Sequence, residues 1–525
     1  SITKLHITTL MCTHCNTLKM RAVTTRKCVA SGTILVFGIM IYLYPHRLQN
    51  LKTHFTSQLF EAIPSNEEVT SFEHSVFHIV RSQSEYVVGD TLHLEIIARD
   101  SNNKTLDRGG DMFSVVMVNP DKNQAMAGKV TDHNNGTYSC YFPLYWEGTL
   151  HIEGRLLMSS AVTDYLKKVQ KSDHIWKAWL SSALFEAGGK STRVPCDLEE
   201  YPDNVTDFCD LSTFNGMEPW YCPKAPEFDC ASFASLRKPI APPDDFEKYK
   251  HLLNKSTWSV DRELMTLKVQ VNGNSNFQLE AAPAKCPLGT QNTYPTGYFE
   301  NQRWISRLCQ LKETSTLNYS TCLSNKRFLF YGDSNALRLK DVFIRTMRNL
   351  GQQPEMLGYE IFNFPNIQSA VTYIPFGHGV LRWPQPGYQM ASLESVLMHP
   401  KEDVSVIFLS IWAHFAFHTR AKLLSILLRL KSLLLNWKAK YPHVEIFLRS
   451  PHYRNNEDPP TNIFLASNWG SELSYSLFNL VFKDTPFHVI YIWDMLISWR
   501  GAYDIHPSSQ VMMESFKMVL SRLCP

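Results

Sequence analysis

The sequence predicts an exported protein in two parts, an antiparallel β-sandwich of immunoglobulin type followed by a three-layer α/β domain, behind a single N-terminal transmembrane helix. Three observations carry this: alternating apolar segments between residues 85 and 160, strand and helix patterns that alternate after Cys286, and an uncharged stretch from Cys28 to His46. A chain of 525 residues is too long for one core. Its 44% hydrophobic and 19% charged residues and net charge of +3 are those of a folded protein. They do not point to a polyanion as partner, and no basic run with interleaved aromatics or zinc-finger spacing occurs, so no nucleic acid is expected.

Residues 1–27 carry Lys4, Lys19, Arg21, Arg26 and Lys27 and no acidic residue, as a cytosolic tail would. Residues 28–46 follow as the membrane anchor. Their strictly apolar part, Val29 to Tyr44, is short against the roughly 20 residues that a bilayer core of about 30 Å requires, and it suits a thin early secretory membrane. Positive charge on the N-terminal side places everything after Arg47 in the lumen, the type II arrangement. A cleaved signal peptide is the alternative, and both readings export the remainder. Residues 47–84 read as a stem. Five N-x-[ST] sequons, at Asn103, Asn135, Asn204, Asn254 and Asn318, all follow the apolar segment. Of 12 cysteines, Cys12, Cys15 and Cys28 precede or touch the membrane. The nine beyond it are expected to form disulfides, leaving one thiol free or paired with another chain. Cys12-x-x-Cys15 has no second ligand pair, so no metal site is expected there or elsewhere.

Residues 85–160 contain TLHLEIIARD, MFSVVMVN, TYSCYF and TLHIEGRLL, separated by Gly109-Gly110, Asn119-Pro120, Asn135-Gly136 and Glu147-Gly148. Short alternating segments between such turns make the sandwich. Residues 161–285 read as a disulfide-stapled connector: the stretch from about Lys190 to Pro287 holds five cysteines and many prolines, with no sustained periodicity. In residues 286–525, RFLFYGDS predicts a strand ending in a turn and ALRLKDVFIRTMRNLG a helix closed by Gly351. DVSVIFLSIW, VEIFLRSP and FHVIYIWDML predict further strands, and KLLSILLRLKSLLLNWKAKY and SSQVMMESFKMVLSRL further helices. Strands rich in Val, Ile, Phe and Leu between amphipathic helices indicate a mostly parallel sheet. Ligands of such sheets sit at the carboxyl ends of the strands.

Gly332-Asp333-Ser334 lies between a strand and a helix. There a hydroxyl is exposed at the sheet edge, and the free N–H groups of the helix N-terminus face the same spot, ready for a tetrahedral oxyanion. Serine is a poor nucleophile without a base. His506, in AYDIHPSSQV before the last helix, is the candidate, with Asp504 or alternatively Asp494 to orient its imidazole. The competing reading makes Ser334 a helix cap and His506 a surface loop residue.

GGDMFSVVMVN, GKVTDHNNGTYSCYFPLYWEGTLHI and WYCPKAPEFDC resemble the neurexophilin-like half of the NXPE family. YPTGYFENQRWISRLC, CLSNKRFLFYGDSNALRL, SIWAHFAFH and IWDMLISWRGAYDIHP resemble, in order, its PC-esterase half, so the resemblance covers about Glu85 to Pro525. That half is similar to SGNH or GDSL hydrolases and acyltransferases, which implies Ser334 and His506 as catalytic serine and histidine.

The sequence departs from the family in three places. Asn335 replaces the usual Thr, with Leu337-Arg338 in place of an Arg-Gln pair, which bears on substrate contacts. Trp412 stands where a glycine precedes the His414-Phe415 pair; His414 matches an oxyanion-hole position of related hydrolases, and a bulky neighbour can reshape the pocket. No G-x-N-D motif is present, so an oxyanion hole falls to backbone N–H groups around Gly332, Asp333 and Asn335 and to Gly377 or Gly379. The implied function is a Golgi-lumenal serine O-acyltransferase that moves an acetyl group from acetyl-CoA to sialic acid or other sugars on glycoproteins or mucins. A carbohydrate O-acetylesterase and a non-catalytic, anchored or secreted binding protein with a degenerate esterase fold are the alternatives.

Overall fold

The computed structural model describes residues 69–80, 85–171, 182–196, 207–212, 220–237, 265–312, 319–358, 360–375, 396–397, 404–416, 418–454, 467–502 and 505–524. The expected tail, anchor and most of the stem, Cys12 and Cys15, Asn204, Asn254, Asn318, Gly377, Gly379 and Asp504 lie outside these residues. Among the described residues no helix is long and apolar enough to cross a membrane.

Strands β1 (Thr70–Ile79), β2 (Tyr86–Val87), β3 (Thr91–Asp100), β4 (Met112–Asn119), β5 (Gln124–Asp132), β6 (Thr137–Pro143) and β7 (Gly148–Met158) build the first half. Leu92, Leu94, Ile96 and Ala98 of β3 are fully buried while the residues between them are only half-buried, the period of two that puts alternate side chains in the core. The sheet folds around that core at β5. Gln124 to Gly128 pair with β4, and Lys129 to Asp132 pair with β6. Gly128 allows the crossing, since a Cβ there would lie 2.3 Å from Cys140 Sγ and 2.4 Å from the Phe142 ring. Asn103 and Asn135 are exposed on turns of this half.

This sheet extends beyond the 85–160 span. It takes in β1 from the stem, and β13 (Met265–Asn272) from the connector pairs antiparallel with β7 from Met265↔Gly154 to Val271↔Gly148. The connector begins with helix α1 (Ser160–Lys171). It continues through a three-stranded sheet of β8 (Ser182–Ala187), β9 (Lys190–Pro195) and β12 (Phe233–Arg237), and a pair of β10 (Phe208–Asp210) and β11 (Tyr221–Pro223). Disulfides Cys196–Cys222 and Cys209–Cys230 enclose the fully buried Trp220. Cys286–Cys309 and Cys322–Cys524 complete four pairs among the described residues. Among the described residues the free thiol is Cys140, whose burial in the sandwich core pushes its pKa up and away from reactivity.

A hairpin of β14 (Gly297–Glu300) and β15 (Arg303–Ser306) follows, and β14 pairs back onto β5. After α2 (Tyr319–Cys322) the second sheet runs through β16 (Arg327–Gly332), β17 (Glu355–Gly358), β18 (Ile361–Phe364), β19 (Ser369–Pro375), β20 (Val406–Ser410), β21 (Glu445–Arg449) and β22 (His488–Ile490). Its order is β17-β18-β19-β16-β20-β21-β22; the last five are parallel, with an antiparallel β17–β18 edge. The connection leaves β16 on one side to β19 and returns on the other to β20. That reversal makes the carboxyl ends of β16 and β20 a topological switch point, the place where doubly wound sheets bind ligands.

Helices cover both faces, which is why β16 is buried on both sides. Phe328 and Phe330 share a core with Phe343 of α3 (Ser334–Asn349) and with the closing helix, while Leu329 and Tyr331 pack with Leu427 and Leu434 of α4 (Arg420–Lys440) and Leu477 of α5 (Asn468–Phe482). Phe330 stacks on Phe408 at 4.3 Å and Phe408 on Phe447 at 5.2 Å, linking three strands. The expected strand FHVIYIWDML is split. Only His488–Ile490 is strand, and Trp493–Ser498 is helix α6, where the Asp494 carboxylate accepts from Met495 N at 3.1 Å, a local bond that favours the turn. Helix α7 (Ser509–Leu523) closes the layer.

Cys322–Cys524 spans 202 residues and ties the residue after α7 to the end of α2, five residues before β16. Replacing both cysteines by serine is expected to lower unfolding free energy by about 2–5 kcal/mol, read from the denaturant midpoint.

Candidate active site

Ser334 opens α3 directly after β16, and its Oγ lies 2.8 Å from His506 Nε2. The junction depends on Gly332, whose φ is +140° and where a Cβ would lie 1.9 Å from the Ser410 carbonyl oxygen. Asp333 N donates to that same carbonyl at 2.8 Å. Tyr373 Oη donates to the Gly332 carbonyl at 3.1 Å, so neighbouring strands grip the turn from both sides.

The buried carboxylate of Asp333 collects three donors: Asn335 N at 2.9 Å, Ser410 Oγ at 3.0 Å and Ala413 N at 3.1 Å. It therefore caps α3 and holds the loop after β20. The expectation that several helix N-terminal N–H groups face the reacting atom is corrected by this cap, because Asn335 N–H is consumed. Ser334 N–H has no hydrogen-bond acceptor among the described residues and is the donor left for an oxyanion. The Asn335 side chain is buried, with Oδ1 lacking a partner among the described residues, and lines the interior rather than a substrate surface. His414 is half-buried on the β20 loop next to Ala413.

Trp412 is 2% exposed, with the Arg454 guanidinium 4.6 Å from its ring and the His452 ring packed edge-on at 4.7 Å. Its bulk is taken up in that packing.

Asp494 is not brought to His506. It is fully buried, and it accepts Thr296 Oγ1 at 2.8 Å as well as Thr296 N and Met495 N. Burial pushes its pKa up to about 6 against these hydrogen bonds. The helical turn at Trp493 aims the carboxylate at the segment before β14 instead of at the final loop.

Three buried side chains at and after the end of β21 escaped the sequence reading: Arg449, His452 and Arg454. Burial and the two arginines hold His452 well below the ordinary histidine range, so its ring is neutral. Arg449 Nη1 lies 3.0 Å from His452 Nδ1, which must accept; Nε2–H then donates to the Ile505 carbonyl at 3.2 Å. His452 thus holds the backbone just before His506. Burial lowers both arginines to about 10, with the Asp333 charge opposing the fall. Arg454 Nη2 donates to the Ala413 carbonyl at 3.1 Å. The available signal was position alone, at the carboxyl end of a parallel strand.

Comparison with known families gives two matches. A family described as "NXPE family member 4-like, C-terminal domain" matches residues 304–524, and one described as "Neurexophilin" matches residues 51–237.

Gly332→Ala is expected to destabilise by about 2 kcal/mol or more, through forbidden φ and the clash with Ser410, seen as a lower Tm. For Asp494, the folded pKa of about 6 exceeds the ordinary 3.8, so the folded state binds the extra proton between them. Its contribution to stability falls as pH rises from about 4 to about 6, with a slope of at most roughly 1.4 kcal/mol for each pH step of one. Asp494→Asn should flatten that limb of the stability curve, measured by chemical denaturation across pH.

Proposed function

The chain belongs to the NXPE family, and from that premise we propose that its C-terminal domain is a serine O-acyltransferase of the secretory pathway, acetylating sialic acid or other sugars on glycoproteins or mucins. The observation that carries the reading is the 2.8 Å contact between Ser334 Oγ and His506 Nε2 at the carboxyl end of β16. The four disulfides and the family fit a secretory-pathway or secreted protein. Golgi residence behind a type II anchor at residues 28–46 is part of the proposal.

In the first step Ser334 Oγ attacks the acetyl carbonyl of acetyl-CoA as His506 Nε2 takes its proton. Ser334 N–H faces the developing oxyanion. Collapse breaks the thioester bond and His506 gives the proton to the departing CoA sulfur. In the second step a sugar hydroxyl attacks the acetyl-serine, His506 accepts that hydroxyl's proton, and the proton returns to Ser334 Oγ. Asp504 is the candidate to orient the His506 ring. Water in place of the sugar makes the same cycle an esterase.

Wild-type protein should transfer labelled acetyl from acetyl-CoA to sialylated mucin. Ser334→Ala should lose about 10³-fold or more of this activity, and His506→Ala about 10²–10⁴-fold. Equal label with wild type and Ser334→Ala would overturn the proposal and leave a binding protein on an inert esterase-like scaffold. Acetate released without labelled mucin identifies the esterase.

A further inference from the structure

Of the two loops that border Ser334, one is tied to the N-terminal sandwich and the other to the helix α1 that follows it. The loop that bears His506 leaves α6, which packs in one core with α1 and with Met112, Leu157 and Met158 of the sandwich. Directly after α6, Trp499 packs on Phe299 of β14 with ring centres 5.1 Å apart, and β14 is hydrogen-bonded to β5. Arg500 Nη1 then lies 2.6 Å from Glu153 Oε2 of β7, a charge contact without hydrogen-bond alignment. Glu153 is only 8% exposed, so its carboxylate is costly to leave unpaired, and Arg500 compensates it. His506 follows six residues later. On the other side, Gln170 of α1, also buried, donates from Nε2 to the His418 carbonyl. His418 ends the β20 loop, whose Ala413 N–H holds Asp333.

We propose that the sandwich and the helix α1 that follows it are working parts of the candidate site, with Glu153 and Gln170 as positioning residues: Glu153 sets the His506 loop through Arg500, and Gln170 sets the β20 loop through the His418 carbonyl. The proposal rests on the acyl-transfer reading of Ser334 and His506. The physical requirement is geometric. A base displaced by about 1 Å from a hydroxyl it must deprotonate loses up to about 10²-fold in rate. The final loop lies at the sheet edge, where its own domain holds it through the His452 bond to the Ile505 carbonyl and the cap of α7 by Ser508. The Glu153–Arg500 pair supplies a third anchor from across the interface.

The test uses the full chain and a fluorophosphonate probe that labels an activated serine, with labelling rate followed against pH and Tm recorded for each variant. Wild type should label at Ser334 and Ser334→Ala should not. Glu153→Gln and Arg500→Gln should label about 10- to 100-fold more slowly, with a shifted pH midpoint, while Arg500→Lys, which keeps the charge, should recover most of the rate. Gln170→Ala should slow labelling in the same direction. Leu92→Ala, in the sandwich core on β3, which pairs with β6 and not with β7, should lower Tm and leave the folded protein's labelling rate unchanged. Wild-type rates in Arg500→Gln and Gln170→Ala, or an equal loss in Leu92→Ala, would overturn the positioning role while leaving the serine reading intact. Wild type that labels no better than Ser334→Ala removes both.

Discussion

Three donors from two separate segments converge on the carboxylate of Asp333, and the geometry around Ser334 follows from that convergence. The carboxylate caps α3 through Asn335 N, grips the end of β20 through Ser410 Oγ, and fixes the following loop through Ala413 N. A buried carboxylate needs such donors and nearby positive charge, and Arg449 and Arg454 supply the charge. The glycine before it lets two strand ends approach more closely than any Cβ would allow. Ser334 is therefore held by its neighbours' backbone and by Asp333, which leaves its hydroxyl to pair with His506 and its own N–H without an acceptor among the described residues.

The buried positive charges after β21 shape the other half of the site. Arg449 faces His452 Nδ1 with its donors, which compels the neutral ring to point Nε2–H at the Ile505 carbonyl. A charge from one strand end is thereby converted into a fixed backbone position one residue before His506. Trp412 has a structural part here too, as the surface on which Arg454 and His452 pack.

The two halves of the chain share surfaces to a degree that their separate family matches do not suggest. One apolar core runs from Met112, Leu157 and α1 to Trp493, Met495 and the helices beside β16, and residues 65–525 form one compact unit. Strands β13 and β14, from segments after the sandwich, complete its sheet. Interfaces between independent domains are smaller and more polar, so an apolar one of this kind argues against free relative motion.

What the sequence by itself determined is local. The alternation in β3, the unbroken apolar run of β16, the helix that follows Gly332-Asp333-Ser334 and the loop before the last helix are read from spacing over a few residues, because side-chain period and capping act over that range. Family membership was legible for the same reason, in short ordered motifs. His506 was legible as a candidate partner of Ser334 from the positions of the two turns, each before a helix; the tertiary structure alone decided which other distant groups meet: Asp494 with Thr296 rather than with the histidine, Cys322 with Cys524, β13 with β7, and Glu153 with Arg500. Such pairings are set by the burial of whole faces and by the need of each buried polar group for a partner, and neither requirement leaves a mark on the residues adjacent in the chain.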